Sequence, residues 1–66
     1  MLEYSIHILQ KVSFDKILFE KELNKSINFL TPQETLQLEK WVEFNYGDKY
    51  PEIIKNFKNL YYISYN

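Results

Sequence analysis

The chain has no cysteine, no arginine and no alanine, a single glycine, two prolines and one histidine among its 66 residues. Each shortage excludes something. Without cysteine there is no disulfide and no thiolate metal ligand. With His7 alone, no multi-histidine metal site can form within one chain. One glycine cannot build a phosphate-cradling loop. Without arginine the chain lacks the side chain that most often reads guanine. Its eight lysines form no run that would track a phosphate backbone, and the net charge is -1. Nucleic acid is therefore disfavoured as a partner. No apolar stretch approaches the roughly 18 residues of a membrane span. The opening MLEYSIH has neither the basic residues nor the long apolar run of a secretory signal. A reducing cytoplasm is the expected location.

What is present is aromatic: one Trp, six Tyr and five Phe. Each can bury roughly 150–250 Å². A chain of 66 residues makes one domain, 1–66, and a domain of that size buries only about 60% of the surface of its unfolded chain. With no disulfide or metal to staple it, dense aromatic packing or burial against a partner must supply the stability.

The clearest local signal is Thr31-Pro32-Gln33-Glu34. Thr31 can accept a backbone N–H of the first helical turn, Pro32 costs nothing at the first helical position, and Glu34 can reach back to the Thr31 N–H. Leu30 and Leu36 can form a hydrophobic staple around this capping box. The helix should run to about Tyr46, with Gly47 as a left-handed closing residue. Leu38, Trp41 and Val42 share its inner face, Leu36 and Phe44 flank it, and Glu39 and Glu43 belong to a solvated face. Upstream, Ser13 can cap a helix from Phe14 to about Leu30, with Asp15 in its first turn. Phe19, Leu23, Ile27 and Leu30 form one stripe, and Phe14, Leu18 and Phe29 lie on the other side. That pattern predicts a central helix covered on both faces. Lys16 and Glu20 make an attractive i,i+4 pair there, and Lys21 and Lys25 a repulsive one. Downstream, Asp48 can cap a helix from Pro51 to about Leu60, with Ile53, Ile54 and Phe57 buried.

The first segment has two readings. Leu2, Tyr4, Ile6 and Ile8 alternate with Glu3, Ser5 and His7, as in a strand. The same residues place Leu2, Ile6 and Leu9 on one helical face and Tyr4, Ile8 and Val12 on another. Helix is preferred because nothing nearby offers a hairpin turn. The expected fold is thus all-α, a small domain of three to four helices, with the N-terminal segment as a possible strand. The tail, residues 61–66, is aromatic and β-prone. It can extend the last helix, pair with the N-terminus, or order on a partner.

The stretch LEYSIHILQKVSFDKILFEKEL, followed by TPQE, Trp41 and GDKYPEI, resembles short uncharacterised helical proteins of Bacteroidetes-type bacteria. The likeness covers most of residues 1–57 and leaves out the tail after Phe57. It implies a bacterial cytoplasmic protein and favours helix for residues 2–12. It carries over no catalytic or binding residue.

Candidate chemistry is sparse. Glu3 and His7 lie one helical turn apart, but two ligands are too few for a metal site. Glu39 and Glu43 have the spacing of a carboxylate pair, which a solvated helix face explains as well. Ser5 is the hydroxyl nearest to His7 in sequence and points differently on a helix. Asp48 reads as a cap rather than a ligand. No enzyme activity, cofactor or metal is expected. The expected function is protein–protein interaction: a small module that pairs with itself as a homodimer or docks on a larger bacterial protein. Tyr61, Tyr62, Ile63 and Tyr65 are the candidate contact residues. A small DNA-binding or antitoxin-like regulator is the alternative. Lysines gathered on one face would favour it, and an exposed aromatic patch would favour the first.

Overall fold

In the computed structural model, which describes the backbone of residues 1–65 and the side chains of residues 1–60, the chain forms four helices. They are α1 (Leu2–Lys11), α2 (Lys16–Ser26), α3 (Pro32–Tyr46) and α4 (Pro51–Tyr65). The described residues contain no strand. The alternation at residues 2–8 therefore resolves as a helix. Ser5 and Leu9 face the core, Leu2, Ile6 and Val12 pack partly against it, and Tyr4 stays exposed. The fourth helix continues through the tail to Tyr65, past the expected end near Leu60.

α1 packs against α2 and α3, and α4 packs against the same two. The radius of gyration, 10.6 Å, is what a compact domain of this length should have, about 10.8 Å. The core holds Leu9, Phe19, Leu23, Leu30, Leu38, Val42, Tyr50, Ile53, Ile54 and Phe57. Its aromatic end is built around Phe19, whose ring meets Tyr46 edge-on at 4.9 Å and Tyr50 at 5.0 Å. Trp41 is mostly buried and packs edge-on against Tyr46 at 5.6 Å. The Tyr50 hydroxyl donates to the Ser13 carbonyl at 2.7 Å, which ties the α1–α2 turn to the α3–α4 turn. Two buried hydroxyls satisfy themselves locally. Ser26 donates to the Leu23 carbonyl and Thr35 to the Thr31 carbonyl, so these two side chains sit in the core without an orphaned donor.

The helix ends follow the sequence with four corrections. At α3 the capping box forms in full. The Thr31 hydroxyl accepts the Glu34 N–H at 3.1 Å, and the Glu34 carboxylate accepts the Thr31 N–H at 3.0 Å. That bond to the Thr31 N–H holds the Glu34 pKa below its ordinary value. The cap of α2, however, is Asp15 and not Ser13. One Asp15 carboxylate oxygen accepts from both Ile17 and Leu18 N–H, and its charge complements the helix dipole. Ser13 instead donates to the Gln10 carbonyl at the end of α1. The helix also stops at Ser26, and a turn carries residues 27–29 toward Leu30. Gly47 is not left-handed; its φ is −58°. Glycine is used there for closeness, because a Cβ would run into the carbonyl oxygen of Glu43, which accepts the Gly47 N–H. Finally, α4 begins at Pro51, so Asp48 lies too far upstream to cap it.

Candidate interaction surface

α2 is not sandwiched. Phe19, Leu23 and Ser26 face the core, but the other side meets water. Phe14, just before the helix, is 78% exposed, and Ile17 in its first turn is 76% exposed. Leu18 and Phe29 are about two-fifths exposed. The expectation that Phe14, Leu18 and Phe29 would be covered by a neighbouring helix is therefore wrong. α1 and α4 both pack along the Phe19–Leu23 side, and no further helix is left for the opposite one. At 100° per residue, Ile17, Leu18, Lys21 and Lys25 all point away from Phe19. The two lysines are exposed and make no ion pair among the described residues. Lys16, expected to pair with Glu20, makes none either.

Single exposed apolar residues are ordinary on protein surfaces, and a group of them is not. Phe44, 88% exposed and two turns along α3 from the half-covered Leu36, is one such single residue, and Met1 and Tyr4 at the start of α1 are others. Phe14, Ile17 and Leu18 are the group. Ile17 was the residue that periodicity missed, since it fits neither apolar stripe. Its signal was the adjacency of Phe14, Ile17 and Leu18 at i, i+3 and i+4. The four candidate contact residues of the tail, Tyr61, Tyr62, Ile63 and Tyr65, have side chains outside the described residues.

The remaining polar candidates separate. Glu3 and His7 are both exposed on α1. His7 makes no hydrogen bond to a hydroxyl among the described residues. No group of three or more His, Cys, Asp or Glu residues is placed to hold a metal ion among them. Glu39 and Glu43 do not share a solvated face. Glu43 is exposed, but Glu39 is only 6% exposed, covered by α4. Lys58 reaches over from α4 and pairs with Glu43 at 2.8 Å, while its distance to Glu39 is 3.9 Å. Among the described residues, the second oxygen of Glu39 is buried with no hydrogen-bond partner, as is the Ser5 hydroxyl.

Two hollows flank the start of α4. One, about 250 Å³, is lined by Glu43, Gly47, Pro51, Ile54, Lys55 and Lys58. The other, about 370 Å³, lies between Lys16, Lys49, Tyr50, Pro51, Glu52 and Ile53. Lys49 stands over the Tyr50 ring at 5.3 Å, and Glu52 places a carboxylate among the two cations. Neither lining contains a serine, a threonine or a histidine. No helix formed by the described residues is long and apolar enough to cross a membrane.

Compared with family models, with curated proteins and with solved structures, the chain matches none.

Proposed function

We propose that the protein is a small interaction module that docks on a larger protein of a bacterial cytoplasm and acts by binding rather than by catalysis. The observation that carries this reading is the outward face of α2, where Phe14 and Ile17 keep more than three-quarters of their surface in water beside Leu18. A domain this short has little apolar surface to leave unused. Placing three large apolar side chains at one exposed helix start is therefore costly unless a partner covers them. The α2 face stands on its own in this reading, and the tail residues Tyr61, Tyr62, Ile63 and Tyr65 extend it as a second contact. A DNA-binding regulator is the second reading, favoured by Lys21 and Lys25 on one face. Two or three lysines release few counterions, and Phe14 and Ile17 offer nothing to a phosphate.

The test is affinity capture from the source cells with the tagged full chain, run beside the Ile17→Ser and Phe14→Ser variants. A protein retained by the natural chain and lost from both variants is the expected result. Retention by all three chains would move the contact away from α2. Tight, steeply salt-dependent binding of random-sequence DNA would favour the regulator instead.

A further inference from the structure

We propose that the outward face of α2 receives an acidic amphipathic helix from the partner protein. The inference rests on the interaction reading above and adds the chemistry of what is bound.

The order of side chains along this face carries the argument. Its first turn is apolar, with Ile17 and Leu18 exposed and Phe14 just before them. The next two turns present Lys21 and Lys25. Phe29, partly exposed, lies just past the helix end. No acidic residue lies among them; the flanking Glu20 and Glu22 sit at the half-covered edges. Lys21 and Lys25 are one turn apart, a like-charge spacing that destabilises an isolated helix. Neither is neutralised by an ion pair among the described residues. A complementary surface would carry carboxylates one turn apart, with an apolar group seated on Ile17 and Leu18. A helix of about three turns presents such a set at i, i+3, i+4 and i+7.

Three other occupants fit less well. A second copy docking through the same face would do so about a two-fold axis, which sets residue i against j and j against i and sets any residue on the axis against itself. With the axis at the middle of the helix, Lys21 would oppose Lys21. A lipid surface favours apolar residues along the centre of the buried face and lysines at its margins, from where they snorkel. On α2 the order is reversed around the helix, with Lys21 and Lys25 between the directions of Ile17 and Leu18. A nucleic acid would use the lysines and leave Phe14 and Ile17 in water.

The experiment uses the full chain as bait for a displayed library of 16-residue helical peptides, randomised on one face. The expected result is enrichment of peptides with Asp or Glu one turn apart beside Leu, Ile or Phe. The best peptide should lose about tenfold or more in affinity to K21E/K25E, and a peptide with lysines in place of its acids should recover binding to that variant. Both lysines are exposed, and circular dichroism checks that the variant keeps its helices. Enriched peptides without acids, lost on Ile17→Ser but indifferent to K21E/K25E, would overturn the acidic occupant and leave the interaction reading standing. Peptides indifferent to both changes, or no enrichment, would overturn the proposal. So would sedimentation of the chain with anionic vesicles, or self-association abolished by Ile17→Ser. Retention of the cellular partner by both Ile17→Ser and Phe14→Ser would move the contact away from α2 and overturn this proposal, with the interaction reading left standing.

Discussion

At the start of α2, Phe14, Ile17 and Leu18 stand in water; on α3, Glu39 is enclosed with one carboxylate oxygen unpaired. The two segments depart from the apolar-inside, charge-outside rule in opposite directions. Both have sound inner faces, built on Phe19 and Leu23 in α2 and on Leu38 and Val42 in α3. Neither departure adds to the stability of the isolated domain. On α2, apolar surface that the core does not need remains available for a partner. On α3, a carboxylate that solvent would stabilise is held under α4, with Lys58 near only one of its oxygens. The outward departure points to binding. The inward one is a local cost that the rest of the packing has to offset.

The inner and outer faces of α2 give the largest contrast. Phe19 is wholly buried and touches both Tyr46 and Tyr50. Phe19→Ala should cost about 3–5 kcal/mol. A domain of this length holds only about 3–10 kcal/mol in all, so the variant should be largely unfolded. Ile17→Ser and Phe14→Ser should change stability by no more than about 0.5 kcal/mol. Urea denaturation followed by circular dichroism measures all three. A large loss for Ile17→Ser would break the comparison, because the outer face would then be part of the fold.

The caps of the two helices sharpen it. Thr31→Ala removes one half of the capping box, and Asp15→Ala removes an oxygen that accepts two N–H groups. Each should cost about 0.5–2 kcal/mol. Glu34 adds a pH signature. Its folded pKa is lowered by the bond from the Thr31 N–H. Its contribution is therefore whole above its unfolded pKa and fades as pH falls through the folded value. The stability gap between the natural chain and Glu34→Gln should close across that acid range. A gap that stays constant would mean that the carboxylate is not held in the box.

These caps also mark how far the sequence was legible. Thr31-Pro32-Gln33-Glu34 has one structural solution, and α3 begins where it says. Around α2, the sequence assigns the cap to Ser13 and places Asp15 in the first turn, but Asp15 is the cap. The carboxylate prevails because one oxygen takes two N–H groups and its charge meets the dipole. Helical spacing placed Phe19, Leu23, Ile53, Ile54 and Phe57 correctly, because those stripes meet one another. It misplaced Phe14, Leu18 and Phe29, because periodicity reports which residues share a side and not whether anything covers that side. Glu39 failed for a related reason. Thr35, Glu39, Val42 and Tyr46 form one helical stripe, and the polar members hide it from a hydrophobic pattern.

A smaller effect tests the tie between the α1–α2 turn and α3–α4. The Tyr50 hydroxyl reaches the Ser13 carbonyl across 37 positions of sequence. Tyr50→Phe keeps the ring in the core and removes only that bond, so it should cost about 0.5–1.5 kcal/mol. No measurable change would mean that water replaces the hydroxyl at the Ser13 carbonyl.

The smallest expected change is at Glu39, and there the sign matters more than the size. Its carboxylate is mostly desolvated, its second oxygen has no partner, and the Lys58 ammonium is 3.9 Å from the first. Lys58 is closer to Glu43, at 2.8 Å, and is one-third exposed, so solvent screens its pull on Glu39. Coulomb attraction at that distance does not readily repay the loss of hydration. Methionine has nearly the same length, fills irregular gaps and carries no charge. Glu39→Met should therefore leave stability unchanged or raise it by up to about 1 kcal/mol. Lys58→Met should lower it, because it strands the carboxylate under α4 without a nearby cation. A clear loss for Glu39→Met would reverse the reading of α3: the carboxylate would be stabilising the α3–α4 seam, and the contrast with α2 would reduce to the exposed apolar face alone.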